Sequence, residues 1–262
     1  MTVVADSPTF QYAPPQAAYG ARCIIVKPNL GYPTPAPVTV SLPVLRAVLM
    51  GLRCAAPRAE IILLEGVCTK VGFAEVMTQL GVSRLLTELN DPDVRLLDAD
   101  TLPSKPYPNQ SPTPERFSEM HAPALLDDAD CRLSVAAFKR TTLRERPLLS
   151  AAIKNLYGLF PRAIYRARSP YARGQLHVPD VQRVLVDVYF TLGMRFDGAV
   201  VDVTHKFVSR DWRPDVGTAV PVGKVVTGDD LLAVDMKAAE LAGEPPSDYL
   251  QTIAARRRTN GA

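Results

Sequence analysis

The stretch RCIIVKPN, Arg22 to Asn29, decides the fold class. Its apolar run is too short for a helix and rich in β-branched residues. It ends in Lys27, Pro28 and Asn29, as a fully buried strand does where it leaves a sheet. A Pro-rich loop, LGYPTPAPVT, follows and cannot be helix or central strand. SLPVLRAVLMGLRCAA then starts a helix at Ser41, with Pro43 in its first turn and Leu45, Val48, Leu49 and Leu52 at helical spacing. AEIILLEG reads as a second buried strand. Strand, helix, strand with continuously apolar strands is the signature of a βαβ unit, whose parallel sheet is covered on both faces. The expected class is therefore α/β, a Rossmann-like layered fold with a mostly parallel sheet flanked by helices, residues 1–262 forming a single domain.

The same alternation runs on through FAEVMTQLGV as helix and DVRLLDAD as strand, and resumes at CRLSVAAF. Between them, residues 101–123 carry LPSKPYPNQSPTPE, too rich in proline for regular structure, and read as an excursion or lid. Leu148, Leu149, Ile153 and Leu156 predict a helix, with Ser150 one turn before Lys154. PDVQRVLVDVYFTLG is a helix, FDGAVVDVT a strand, and THKFVSRDWRPD a loop carrying the sole tryptophan, Trp212, as a cover for a pocket or an interface anchor. GKVVTGDD is a strand that leads into the helix LLAVDMKAAELAG, and PSDYLQTIAARRR is a last helix.

Charge is unevenly spread. The whole chain carries +3, too little to coat nucleic acid or membrane by bulk attraction. Yet Lys139 to Arg173 holds nine basic residues and one acid, Glu145, a net of +8 that leaves the remainder at −5. A basic segment on a mildly acidic body points to an anionic partner. The four cysteines are scattered, with no C-x-x-C pair, and no apolar run approaches the ~18 residues of a membrane span. A soluble cytoplasmic protein with reduced thiols is expected.

Three stretches carry a family resemblance: IIVKPNL at 24–30, AAIKNLYGLFP at 151–161 and GKVVTGDDLLAVDMKAAELAG at 223–243. In this order and spacing the chain resembles the bacterial and archaeal family catalogued as domain of unknown function 362. Many relatives resemble iron–sulfur proteins through an added Cys-rich, ferredoxin-like module, which the chain is expected to lack. Relatives also show Lys-Thr-His upstream of Lys-Asn, where this sequence has FKRTTLRER, so histidine-dependent chemistry does not carry over.

The residues themselves nominate a site. Lys27 and Asn29 stand at a strand's carboxyl end, where open α/β sheets bind ligands; a snorkelling lysine and a turn asparagine are the plain alternative. Lys154 and Asn155 face the same crevice in this reading, Lys154 as the central catalytic cation. Lys139, Arg140, Arg144, Ser150 and Arg162 supply further anion contacts. Arg168 and Arg173 read as a solvated face. Asp202 at a strand end and His205 beyond it are candidates for acid or base work, against a structural carboxylate and a surface histidine. Asp229 and Asp230 suit a helix cap better than a catalytic pair.

No Walker loop, G-x-G-x-x-G, G-x-S-x-G or H-E-x-x-H occurs, so no metal site and no organic cofactor is expected. What remains is chemistry driven by position and electrostatics on an anionic small molecule, possessing a sulfate, phosphate or carboxylate: substitution or elimination, with ring closure as one instance. Partners expected with it are an acidic carrier protein presenting the substrate and a second subunit, but not a membrane or nucleic acid. An iron–sulfur or redox-associated protein and a binding module for an acidic carrier are the alternatives.

Overall fold

In the computed structural model, residues 1–143, 145–210 and 213–260 are described; Arg144 and Trp212 of the sequence reading lie outside them. Among the described residues, ten strands and eight α-helices follow in order: β1 (Thr2–Asp6), β2 (Cys23–Pro28), α1 (Leu42–Ala55), β3 (Glu60–Glu65), α2 (Phe73–Gln79), α3 (Val82–Leu89), β4 (Val94–Asp98), β5 (Ser104–Pro108), β6 (Glu119–Pro123), β7 (Cys131–Leu143), β8 (Arg146–Ser150), α4 (Ala152–Asn155), α5 (Arg162–Tyr165), α6 (Val181–Thr191), β9 (Gly198–Arg210), β10 (Gly217–Gly228), α7 (Leu231–Leu241) and α8 (Asp248–Asn260).

The expected βαβ unit is present. β2 lies parallel to β3 on one side and to β7 on the other, within an eight-stranded sheet ordered β1-β10-β9-β7-β2-β3-β4, with β8 as the eighth strand, paired to β7. Alternation along the buried strands splits the core: Ile24 and Val26 pack with Val44, Leu45, Val48 and Leu52 of α1, whereas Ile25 faces the layer that holds α4, α6 and α7. The sheet is thus mostly parallel and covered by helices on both faces, with β10 and β1 added antiparallel at one edge.

What positions the site is a mismatch of strand lengths. β7 runs 13 residues, more than twice the length of β2. β2 accompanies it only as far as Pro28 opposite Val135, and β8 takes over on the same side at Ser150 opposite Lys139. Ala136–Phe138 have no strand partner there, and a register shift between Ala137 and Lys139 bends β7 against β9. The sheet therefore opens at the carboxyl end of β2.

Three expectations are corrected. Leu148 and Leu149 belong to β8, not to a helix, and only one helical turn, Ala152–Asn155, carries Lys154; short apolar runs fit either period, and pairing with β7 decides. The THKFVSR part of the supposed loop continues β9, whose residues 207–210 pair with β7, so cross-strand hydrogen bonding overrides polar composition. The Pro-rich excursion contains a small antiparallel sheet, β5 with β6, and lines no part of the crevice described below. It is pinned to α6 by the fully buried Asp187, whose carboxylate accepts from Asn109 Nδ2 and from the backbone N–H of Glu115, Arg116 and Phe117, all at 2.8–2.9 Å.

Asp187→Ala leaves those donors without their acceptor and is expected to cost about 3 kcal/mol or more in urea unfolding; a loss within about 0.5 kcal/mol, the range of ordinary surface substitutions, would show that the excursion is not held this way.

Candidate functional site: a lysine-lined crevice

At the opening lies a crevice of about 990 Å³, walled by the ends of β2 and β3, the far half of β7, β8, α4 and residues 167–178. Its floor is a buried ion pair. Lys27 and Glu65 are each 1% exposed, and Lys27 Nζ stands 2.8 Å from Glu65 Oε1. Two charges this deep hold together only when their remaining valences are met. Lys27 Nζ also donates to the Pro28 carbonyl (2.8 Å) and to Asn155 Oδ1 (3.0 Å). Glu65 also accepts from the backbone N–H of Leu30 (2.7 Å) and Gly66 (2.8 Å). Burial pulls the Lys27 ammonium below the usual lysine range, and Glu65 opposes that pull.

Asn155 knits the family stretches together. Its Nδ2 donates to the Lys27 carbonyl (2.8 Å) and to Ser134 Oγ (3.1 Å), while Ser134 Oγ donates to the Ala152 carbonyl (2.9 Å). From α7, the buried Asp235 accepts the N–H groups of Ala152 (2.7 Å) and Ile153 (3.0 Å) and so fixes the turn that aims Lys154. Burial raises the Asp235 carboxyl to about 7, against the two amides. Gly158 is required by proximity: a Cβ there would collide with Glu65 Oε1 and stand 2.6 Å from Lys27 Cε.

Two further cations enter the crevice without a carboxylate. Lys139 Nζ donates to Asn29 Oδ1 (2.6 Å) and to the Val38 carbonyl (2.8 Å). Burial, then the nearby Lys154, lower its pKa to about 7; Glu65 opposes and Lys27 adds to the fall. Lys154 Nζ sits 4.9 Å from the Tyr157 ring centroid, a cation–π contact, and burial lowers its pKa too. His177 lines the same wall, held near 4 by burial and by Lys154, and is neutral at pH 7. Arg168 stands exposed at the rim. Among the described residues, Glu65 is the one carboxylate lining the crevice, and neither Lys139, Lys154 nor Arg168 has an ion-pair partner.

The structure thus brings together Lys27, Asn29, Lys139, Ser150, Lys154 and Asn155 of the residues chosen from sequence. It places the other described ones elsewhere. Arg140, next to Lys139 on β7, points to the opposite face, where its Nε is 3.7 Å from Glu244. Arg162 is taken by Asp100, which accepts from both its backbone N–H (2.7 Å) and its Nε (2.6 Å). Asp202 accepts from the backbone N–H groups of Ser41 (3.1 Å) and Thr204 (3.0 Å) and lies outside the crevice lining. His205 sits within β9, opposite Pro221. Asp230 caps α7 through the Ala233 N–H (2.8 Å).

Arg173, expected to be solvated, is 3% exposed and binds Asp100, Phe160 and the carbonyls of Gly66, Val67 and Gly158. Glu65, Gly158 and His177 were not singled out as crevice residues from sequence; the only signal for Glu65 was its place at the end of the strand that follows Lys27. No three His, Cys, Asp or Glu side chains converge as metal donors among the described residues, and none of their helices is long and apolar enough to cross a membrane.

The crevice lies at the carboxyl ends of the parallel strands, the place where open α/β sheets generally put their ligand sites. The chain belongs to the family described as domain of unknown function (DUF362), whose model matches residues 24–240. No curated protein matches the sequence. Among solved structures it is similar to the lactate racemase apoprotein from Thermoanaerobacterium thermosaccharolyticum, with 14% identity and a TM-score of 0.49. That match covers 88% of this chain and 52% of the racemase, so the chain spans about half the length of that relative.

Gly158→Ala is expected to displace the Lys27–Glu65 pair and lower stability by about 3 kcal/mol in chemical unfolding, as loss of a buried pair does. Stability within about 0.5 kcal/mol of the parent would mean that the pair tolerates the added methyl and is not a fixed floor.

Proposed function

We propose that the chain is an enzyme of small-molecule, biosynthetic metabolism that holds an anionic substrate in this crevice and promotes substitution or elimination with an anionic leaving group. The observation that carries the reading is the imbalance of charge: Lys139, Lys154 and Arg168 line a space whose sole described carboxylate, Glu65, is already bound to Lys27 and two backbone amides. Cations held apart from water stabilise charge that grows on a departing sulfate, phosphate or carboxylate oxygen. In a ring closure, the bond from carbon to the leaving oxygen breaks with its electron pair on oxygen, an internal nucleophile bonds to that carbon, and the nucleophile's proton must be taken up. A lysine that titrates near 7, as Lys139 does, is suited to accept it. The exposed Arg166 and Arg168 beside the mouth are complementary to an acidic carrier protein that delivers the substrate. The redox alternative is the less favoured reading, because the four cysteines are free and no three His, Cys, Asp or Glu side chains converge among the described residues.

Sulfate and inorganic phosphate, titrated by calorimetry, are expected to bind the parent protein and to lose at least about tenfold in affinity in Lys154→Met. Unchanged affinity would remove Lys154 from the site.

The pH dependence has a definite sign. An anion favours the Lys139 ammonium, so the group's pKa in the complex lies above its value of about 7 in the free protein. Binding above pH 7 then takes up a proton, and affinity falls by up to about tenfold per pH unit as pH rises from 7. A flat profile between pH 6 and 9 would show that Lys139 does not contact the anion.

A further inference from the structure

We infer that Lys139 is a reactive amine that forms an imine with a carbonyl compound bearing an anionic group. The inference goes beyond the displacement reading: it requires the crevice to admit such a compound, not that a leaving group departs from it.

The geometry begins with hydrogen-bond valence. Lys139 Nζ has two acceptors in contact, Asn29 Oδ1 at 2.6 Å and the Val38 carbonyl at 2.8 Å, and both are neutral. An ammonium has three hydrogens, and the third would find no carboxylate among the described residues. A neutral amine has two hydrogens, and these two acceptors use both. The lone pair is then the one valence of Nζ left unassigned, on a residue that lines the crevice.

Two of the three charged groups that act on Lys139 favour that neutral form. Lys27 on β2 and Lys154 on α4 place positive charge nearby. Glu65 at the end of β3 is the opposing group, yet its oxygens are committed to Lys27, Leu30 and Gly66. His177, on the wall beyond Lys154, is uncharged at neutral pH and offers no negative partner. A lysine desolvated beside other cations is the arrangement that makes an amine nucleophilic near pH 7, and the value of about 7 for Lys139 agrees.

Lys154 and Arg168 supply the other half of the specificity. Neither is ion-paired among the described residues, so an aldehyde or ketone carrying a phosphate or carboxylate has cations to hold its anionic end while its carbonyl carbon meets Nζ. The step balances without an oxidant or reductant. The Nζ lone pair forms the C–N bond, the carbonyl π electrons move to oxygen, both amine hydrogens pass to that oxygen, and it leaves as water, giving C=N–Lys139.

Pyridoxal 5′-phosphate, an anionic aldehyde, is the probe. The full-length protein is incubated with it at pH 7, reduced with borohydride, digested and mapped by mass spectrometry. At least about tenfold more label is expected on Lys139 than on Nα-acetyllysine added to the same solution, because a free lysine side chain titrates near 10.4. Labelling of Lys139 is expected to level off just above pH 7, whereas the free acetyllysine continues to gain label toward pH 10.

Label spread over surface lysines with Lys139 unmodified overturns the inference, as does a Lys139 midpoint near 10. The profile is read on the parent protein, so the test survives if Lys139→Met fails to fold. Where that variant folds, it is expected to lose the fast-labelled site. Pyridoxal without the phosphate separates this inference from the anion reading. Slower labelling of Lys139 supports both, while equal rates with and without phosphate support the amine and overturn the anion site.

Discussion

The buried contact between Lys27 and Glu65 is the constraint on which the rest of the site depends. Two opposite charges at the ends of neighbouring parallel strands, each 1% exposed, are costly to desolvate, and a partner removed from either leaves an uncompensated charge inside the protein. The chain answers with a closed set of bonds: the Pro28 carbonyl and Asn155 for the ammonium, and the Leu30 and Gly66 amides for the carboxylate. Asn155 is drawn to this place from far along the sequence, Gly158 is small because it lies on the pair, and Asp235 anchors the turn that delivers both. The three family stretches are thus parts of one hydrogen-bonded object.

Glu65 is held by Lys27 and two backbone amides, and it makes no ion pair with the next two lysines. Lys139 and Lys154 are then left in the wall of a crevice with neutral contacts, a carbonyl, an amide oxygen and an aromatic ring. Their charge is expensive there, and the depressed pKa values express that cost. An anion that enters lowers it, and an amine that stays neutral avoids it. The proposed ligand binding and the inferred amine reactivity would therefore share one physical origin, the excess of cations over available carboxylates. Asp100 shows the opposite solution at the back of the site, where Arg162 and Arg173 share one acid and become structural.

Much of this could be read from residues alone. RCIIVKPN and AEIILLEG announced the parallel core, and Lys27, Asn29, Lys154 and Asn155 were legible because polar residues follow buried apolar runs at strand ends or in distinctive strings. Lys139 and Arg140 were not distinguishable. They are adjacent on β7, and only the continuation of that strand beyond CRLSVAAF shows that they point to opposite faces. Glu65 escaped notice because its role comes from sheet order, which no local pattern specifies. Arg173 was misread for a related reason: in a segment dense with arginine, nothing nearby reveals that an aspartate 73 positions earlier will bury one of them. Asp202 and His205 drew attention by residue type and strand-end position, but backbone amides occupy the first and strand pairing carries the second.

Anomalous diffraction from crystals soaked in selenate or tungstate tests the central claim most directly, since it locates an anion without knowledge of the substrate. The account predicts an ordered anion within hydrogen-bonding reach of Lys154 Nζ in the crevice, with Lys139 or Arg168 as a second contact. A crevice that stays free of anion while exposed arginines such as Arg166 acquire one would contradict it.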